Sequence, residues 1–383
     1  MKLKNTLEKK ILSMFSVMTL GFVLVFPSCQ KDAGIKPESV LQKITHDTTA
    51  ITGGVATTQV NTGTAITAPV NTTTQTTSPP VSSVSSTISN AAVTYKTSAP
   101  ISYTGVNNIT ISGLSITAGS GPAISLTNCV NVHITASRFV NGTNVNAVGV
   151  YLYNCTNVTI DYCYFNNLAS GVLASTSTGI YITNNQMLNM QGPMPRGQFV
   201  QFISCYGAGN SIMSNKFENI LGSSNPEDAI NMFQSNGTAS SPITIAYNWI
   251  RGGGPSKSGG GIVLGDGGSS SYQTAHDNIL VNPGQYGIAI AAGTVMSILN
   301  NKIYAAQASF TNVGTFAWNQ YASTSGCSIT TISGNSVNFT AAGGYQNSSW
   351  DGGNCGTISG WSTNTWGANI TAAILPVTMI TMQ

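Results

Sequence analysis

Residues 156–187 read TNVTIDYCYFNNLASGVLASTSTGIYITNNQM, and this stretch decides the fold. It contains three triplets whose outer residues are apolar, at 158–160 (VTI), 172–174 (VLA) and 180–182 (IYI). The third triplet repeats the pattern of the first. Such short alternating runs predict half-buried β-strands. Asn185 follows five residues after the third triplet begins, and the same spacing recurs further along the chain.

The recurrence indicates a solenoid. The asparagine position returns at Asn215, Asn248, Asn278, Asn301 and Asn335, and an apolar residue stands two positions after each. In the first coils Leu114, Ser137 and Cys163 hold the same position, and the apolar residues two positions later are 22 to 34 positions apart from Ile116 to Val337. Repeats of this length built from short strands are typical of solenoids. The leucine-rich frame of a horseshoe and the six-residue step of a left-handed helix are both missing. We therefore predict an all-β, right-handed, single-stranded parallel β-helix of about nine coils, with the asparagines pairing inside it.

Composition supports one elongated domain. Charged residues make up 7% of the 383 residues, far below the usual quarter, whereas hydrophobic residues reach 41%, which argues against disorder. The net charge of +3 comes partly from the N-terminus, so no nucleic-acid partner is expected. Of the seven cysteines, Cys129 and Cys155 should stack, as a thiol ladder rather than a disulfide. Cys327 and Cys355 are expected to form a disulfide in an oxidising compartment.

The N-terminus carries an export signal. Lysines precede an apolar run from Ile11 to Phe26, and the segment Phe26-Pro27-Ser28-Cys29 resembles a loose lipobox. This resemblance implies that Cys29 is lipidated and that the protein is an outer-membrane lipoprotein exposed at the cell surface. The anchor would be its only membrane contact, and the chain is expected to be a monomer. The predicted divisions are a signal peptide (1–29), a Thr/Ser/Pro-rich tether (30–98), a β-helix (99–340), and a cap (341–383) with Trp350, Trp361 and Trp366.

The charged residues are concentrated in a few coils. Beyond residue 95, ten of the sixteen Asp, Glu, Lys, Arg and His residues fall between Arg196 and Asp277. Arg196, the pair 227–228 and Lys257 precede the second strand in three consecutive coils, and Asp266 follows that strand. Neighbouring coils are about 4.8 Å apart, so these side chains should line one groove. The alternative is a row of loop salt bridges without function.

The repeat and this charged row resemble the pectate-lyase-like superfamily of carbohydrate enzymes over about residues 96–340. The resemblance implies a polysaccharide lyase acting on a uronate polymer, with alginate the first candidate and pectate the second. In such lyases a basic side chain removes the proton next to the uronate carboxylate, whose developing charge must be stabilised. Lys257, in a glycine-rich loop, is the predicted base, while Arg196 and Arg251 would bind the carboxylate or protonate the leaving oxygen.

Further site residues follow from the same comparison. Glu227 and Asp228 would either hold a Ca²⁺ ion or orient Lys257, and the sequence leaves both open. No other cofactor is implied. The residues expected to bind the anionic polysaccharide are Gln201, Asn231, Gln234, Asp266 and Tyr286.

Two rival functions remain. Residues 227–231 (Glu-Asp-Ala-Ile-Asn) resemble the Asp-Asp-x-Ile segment of polygalacturonase-like hydrolases, and 259–265 resembles their Gly-His-Gly-Ile stretch. Here the first Asp is Glu227, the His is Gly260, and the remaining motifs of that family are missing. The lyase is therefore placed ahead of the hydrolase. The third reading is a non-catalytic glycan-binding β-helix with an aromatic platform formed by Tyr151, Tyr153, Tyr162, Tyr164 and Tyr181.

Overall fold

The computed structural model describes residues 94–382, and within them the chain forms thirty short strands and two single-turn 3-10 helices. The first fifteen strands are β1 (Lys96–Ser98), β2 (Ile101–Thr104), β3 (Asn107–Ser112), β4 (Leu114–Gly119), β5 (Ile124–Thr127), β6 (Val130–Thr135), β7 (Arg138–Gly142), β8 (Val148–Tyr153), β9 (Thr156–Asp161), β10 (Tyr164–Asn166), β11 (Ser170–Ser175), β12 (Thr178–Thr183), β13 (Gln186–Leu188), β14 (Val200–Ile203) and β15 (Ser211–Met213). The others are β16 (Lys216–Glu218), β17 (Ile230–Phe233), β18 (Ile243–Ala246), β19 (Trp249–Arg251), β20 (Ile262–Asp266), β21 (Ser271–His276), β22 (Ile279–Val281), β23 (Tyr286–Ile290), β24 (Gly293–Leu299), β25 (Lys302–Ala305), β26 (Val313–Ala317), β27 (Cys327–Ser333), β28 (Ser336–Phe339), β29 (Ser349–Asp351) and β30 (Thr365–Trp366). The 3-10 helices are Trp361–Thr363 and Ala372–Ile374.

These strands form three parallel sheets that wind into a right-handed β-helix of about ten turns, one more than predicted. Sheet A contains β1 and every third strand up to β28, followed by β30; sheet B runs from β2 to β29 and sheet C from β3 to β27. The predicted first and second strands of each coil lie in sheets C and B. The apolar residues that follow the asparagines form the third strand of the coil, in sheet A, which the sequence pattern had not identified as a strand.

The asparagine register forms a continuous ladder inside the helix. The Nδ2 atom of Asn215 donates to Oδ1 of Asn248 at 3.0 Å, and Asn248 donates in the same way to Asn278 at 2.9 Å. The same bond links every step from Asn185 to Asn364. Each donor also reaches a main-chain carbonyl, as Asn248 does at Ile212. The predicted pairing is confirmed, and it satisfies buried polar groups at the turn between sheets C and A.

The cysteine predictions are confirmed as well. Cys129 and Cys155 are buried free thiols in neighbouring coils, and Cys327 and Cys355 form a disulfide. Trp361 and Trp366 pack on each other, with ring centroids 4.9 Å apart, and lie against the end of the core, as expected of a cap. Trp350 does not belong to this cap: it lies in β29 and joins an aromatic cluster with Phe316 and Trp318 on the outside of sheet B.

The proposed domain boundaries differ from the strand boundaries at both ends. Sheet A already begins at Lys96, inside the predicted tether, and β29 and β30 continue the coils beyond residue 340. The signal peptide, Cys29 and nearly all of the tether lie outside the described residues. Among the described residues, no helix is long and apolar enough to cross a membrane.

Candidate functional site

The outer face of sheet B carries the polar cluster predicted from the sequence. Adjacent strands of this sheet align Leu173, Gln201, Asn231 and Val263 in one row that runs along the helix axis. Their neighbours in each strand point into the core, because successive side chains of a strand alternate between the two faces. The loops that connect sheet A to sheet B, including 252–261, border this row on one side.

Asn231 bridges two carboxylates at the centre of the face. Its Nδ2 atom donates to Oδ2 of Asp228 at 2.8 Å and to Oδ2 of Asp266 at 2.7 Å. The two oxygens are therefore at most the sum of these bonds apart, about 5.5 Å. Asn231 is fully buried, and each aspartate is only 4% exposed. The structure thus brings together three of the predicted residues: two largely dehydrated acids and the asparagine that joins them.

Asp266 reaches this face because the register of sheet B shifts. Asn231 pairs with Val263, yet Phe233 pairs with Asp266, so one extra residue is accommodated in β20. Gly265 absorbs it with a φ of +71°, and a Cβ atom there would lie 1.9 Å from the carbonyl oxygen of Ala292. In a regular strand Asp266 would alternate into the core; the bulge turns it outward instead.

Two tyrosines hold the acids from the C-terminal side. The hydroxyl of Tyr286 donates to Oδ1 of Asp228, and the amide of Gly260 donates to the same oxygen at 3.2 Å. Gly260 is required here because a Cβ atom would lie 2.6 Å from the ring of Tyr286. The hydroxyl of Tyr321 donates to Oδ1 of Asp266 at 2.6 Å. Tyr286 was predicted as a site residue, whereas Tyr321 was missed because it lies 55 residues away in a loop with no repeat signal.

An aromatic wall extends from Tyr286 along the same face. Phe316 packs edge-on against Tyr286 with ring centroids 5.5 Å apart, and Trp350 lies 6.0 Å from Phe316 and 5.6 Å from Trp318. Rings of this kind offer large apolar faces with polar edges, which suit the stacking of sugar rings. The predicted tyrosine platform is not formed: Tyr164 is buried at sheet A, Tyr181 lies on sheet C, and only Tyr151 and Tyr153 face outward from sheet B.

Glu227 is held by the glycine-rich loop. The hydroxyls of Ser256 and Ser258 donate to its two carboxylate oxygens at 3.0 and 2.9 Å. Lys257 lies between these serines and its side chain is exposed. The predicted base therefore stands at the rim of the groove, beside Glu227. Asp228, the next residue, has different partners, so the two adjacent acids are engaged separately.

The predicted calcium site is not supported by this arrangement. Within residues 94–382 no group of three or more His, Cys, Asp or Glu side chains is placed to hold a metal ion. Glu227 is bound by serine hydroxyls, and Asp228 by an amide and a phenol. These are hydrogen-bond donors, which occupy the oxygens that a Ca²⁺ ion would need.

The two predicted arginines are not brought together. Arg251 lies in β19 on the outside of sheet A, where Nη1 pairs with Glu218 at 3.1 Å and the guanidinium also binds the carbonyls of Pro376 and Val377. The prediction for Arg251 was wrong because this residue ends a strand of sheet A and does not belong to the loop that follows. Arg196 does belong to the corresponding loop, which connects β13 of sheet A to β14 of sheet B.

The two predicted glutamines lie on either side of Asn231. Gln201 is buried in the row and its Nε2 atom donates to Oδ1 of Asn231 at 3.4 Å. Gln234 is exposed at the turn after β17 and donates to the carbonyl of Gly267 at 3.1 Å. Gln201 thus supports the acid pair from the N-terminal side, and Gln234 borders it.

Comparison with known proteins agrees with this architecture. The family model described as "Right handed beta helix region" matches residues 80–194 and 141–303, which together span more than half of the chain. The chain belongs to the right-handed beta helix region family. No curated protein matches this beta helix. Among solved structures, it is similar to a mutant tailspike protein of E. coli bacteriophage HK620 in complex with a pentasaccharide, at 14% identity and a TM-score of 0.38, covering 62% of this chain and 48% of that one.

A second tailspike structure from the same phage, also in complex with a pentasaccharide, gives 15% identity, a TM-score of 0.36 and the same coverages. The beta helix thus spans about half the length of these tailspike chains. The family assignment rests on the family match and on the three sheets, and these two likenesses add nothing to it.

Proposed function

We propose that this beta helix hydrolyses glycosidic bonds in a polysaccharide, using Asp228 and Asp266 as its two working carboxyl groups. One observation carries the proposal: a single buried amide, that of Asn231, donates to both acids. Glycoside hydrolysis commonly requires a carboxylic acid that protonates the leaving oxygen and a carboxylate that activates water or attacks the sugar. A pair whose nearest oxygens are within about 5.5 Å can flank one glycosidic bond in this way.

The surroundings suit a sugar polymer. The acids lie on the outer face of sheet B, where Gln201, Asn231 and Val263 are each at most 4% exposed, so a sugar chain would have to reach them between the loops that border this face. The partly exposed rings of Trp318 and Trp350 would supply a stacking surface on one side. Tyr286 and Tyr321 each bind one acid and keep its outer oxygen in a fixed position. Such preorganisation of reacting groups is what accelerates proton transfer and attack.

Elimination by Lys257 is the second candidate. It is favoured by the two serines that flank this lysine, since both bind Glu227 and so hold the loop at the groove. We rank it below hydrolysis because the groups that converge in the buried centre are carboxylates, whereas Lys257 is exposed at the rim. Uronate polymers, alginate first and pectate second, remain the expected substrates for either reaction.

The two reactions leave different products. The full chain is incubated with alginate, pectate, glycosaminoglycans and neutral glucans while reducing ends and ultraviolet absorbance are recorded. Hydrolysis gives reducing ends without absorbance, and both Asp228→Asn and Asp266→Asn should abolish it. Asp277→Asn, directly after β21 of sheet C and bound to His276, is the matched control and should keep full activity. If the products absorb ultraviolet light and are not formed by Lys257→Ala, the reaction is elimination and not hydrolysis. Binding without any product would refute both reactions.

A further inference from the structure

Arg196 lies on a loop whose backbone is firmly held. The loop connects β13 to β14, and the amide of Arg196 donates to the carbonyl of Pro193 at 2.9 Å. The next amide, that of Gly197, donates to Oγ of Ser170 at 3.0 Å. Gly197 has a φ of +119°, and a Cβ atom there would lie 2.5 Å from the amide nitrogen of Glu227. The backbone of Arg196 is therefore held in place next to the loop that carries Glu227.

The guanidinium of Arg196 is poorly satisfied. It has five N–H donors, yet its hydrogen bonding within residues 94–382 consists of one contact, from Nη1 to the carbonyl of Pro195 at 3.4 Å. Its Nε atom is buried and has no hydrogen-bond partner there. Burial lowers the pKa of Arg196, with the phenol of Tyr151 acting weakly in the opposite direction. A cation withdrawn from water without an anion costs free energy, and binding an anion would recover it.

The place of Arg196 relates it to the acid pair. Gly197 comes close to the amide nitrogen of Glu227 in the next coil, and neighbouring coils are about 4.8 Å apart. Arg196 therefore stands one coil before the acids, on their N-terminal side and opposite the aromatic wall. A polymer lying over the acids along this face would pass Arg196 on that side of the bond that is cut.

We propose that Arg196 is a subsite that binds an anionic group of the polysaccharide, a carboxylate or a sulfate, on the N-terminal side of the cleaved bond. The proposal rests on the proposed function for the direction of the chain, and it assigns Arg196 to binding and not to the chemical step. A guanidinium matches both anions because its planar fork donates two parallel hydrogen bonds. The subsite requires that the substrate be charged and that it extend from the acids to the preceding coil.

Binding is measured without turnover, by calorimetry on full-length protein carrying Asp228→Asn. The probes are hexamers of uronate, sulfated hexamers and neutral hexamers. Adding Arg196→Gln should weaken binding of the uronate or the sulfated probe tenfold or more and change neutral binding less than twofold. The stronger of the two anionic probes identifies the anion. Arg138→Gln is the matched control, because its Nε atom is also buried without a partner but its guanidinium lies 5.9 Å from the Tyr95 ring at sheet A.

The outcomes are separable from those of the hydrolysis test. Equal loss of neutral and anionic binding, or unchanged anionic binding in Arg196→Gln, overturns the subsite. Arg196→Met keeps the packing of the aliphatic stem and must give the same selective loss at an unchanged melting temperature; if it binds anions as the parent does, the proposal is wrong. Selective loss in a protein that releases no reducing ends supports the subsite while refuting hydrolysis. In an active protein, Arg196→Gln should raise KM and leave kcat nearly unchanged.

Discussion

Replacing Asn231 by leucine tests whether the bridge between the two acids matters. The Asn231 amide donates to both Asp228 and Asp266, and a hydrogen bond to a charged group contributes about 1.5–3 kcal/mol. Leucine has nearly the same shape and no donor. We expect the two acids to lose their fixed separation, at a cost of about 3 kcal/mol to the reacting arrangement.

A loss of this size corresponds to a fall in kcat/KM of roughly a hundredfold. It is measured as the rate of reducing-end release on the best polysaccharide, with the melting temperature recorded in parallel. Asn338→Leu is the matched control. Asn338 lies in β28 of sheet A, several coils after Asn231, and donates to the carbonyl of Ile370. It should keep the parental rate.

The companion variant Asn231→Asp places a third carboxyl group between the two acids. Its rate should be low at neutral pH and partly recover in acid, where a protonated central group can donate again. Retention of at least half the parental rate by Asn231→Leu would refute the reasoning, because the bridge would then contribute nothing to the working geometry.

Four further predictions follow from the same contacts. Tyr321→Phe removes one donor from Asp266 and should lower the rate of reducing-end release about tenfold without lowering the melting temperature. Asn248→Ala removes four buried side-chain hydrogen bonds from the ladder and should lower the free energy of unfolding, measured in urea, by about 3 kcal/mol. Burial raises the pKa of Cys205 from 9.0 to about 12, so the unfolded chain loses this proton first and stability should fall as pH rises from 9 to 12. Cys205→Ala should flatten that slope in melting curves, and an equal slope would contradict the assignment. Cys29→Ser should abolish incorporation of labelled fatty acid and release the protein from the membrane fraction; continued labelling would place the anchor elsewhere.

The fold was predictable because its signals are local and repeated. Asn215 and Asn248 stand in the same place of successive coils, and the sequence shows both their spacing and the apolar residues that follow. The third strand of each coil was not recognised, since three residues around Phe217 or Ile250 carry too little alternation to be separated from a turn. The number of coils was underestimated because β29 and β30 pair with earlier strands without carrying the repeat signal.

The site was predictable only where its residues stay close to the repeat. Asp228 and Asn231 lie three residues apart at the start of a recognisable strand, so their common location follows from the register. Arg251 was misplaced because loop lengths between sheets A and B vary and the end of β19 cannot be read from composition. Tyr321 contacts Asp266 across 55 residues, and no pattern along the chain marks such a contact.

The acid pair exists because the repeat is broken at one point. A regular β-helix would place residue 266 opposite its neighbours with its side chain directed inward, where an unpaired carboxylate is strongly unfavourable. The bulge at Gly265 moves Asp266 to the outer face and within 2.7 Å of Asn231. The close approach of Ala292 leaves no room there for any side chain. The glycine-rich sequence before Asp266 is therefore more than a flexible stretch: one of its glycines sets the direction of the Asp266 side chain. In a solenoid whose other coils follow a common register, the place where that register shifts is the place where reactive groups can meet.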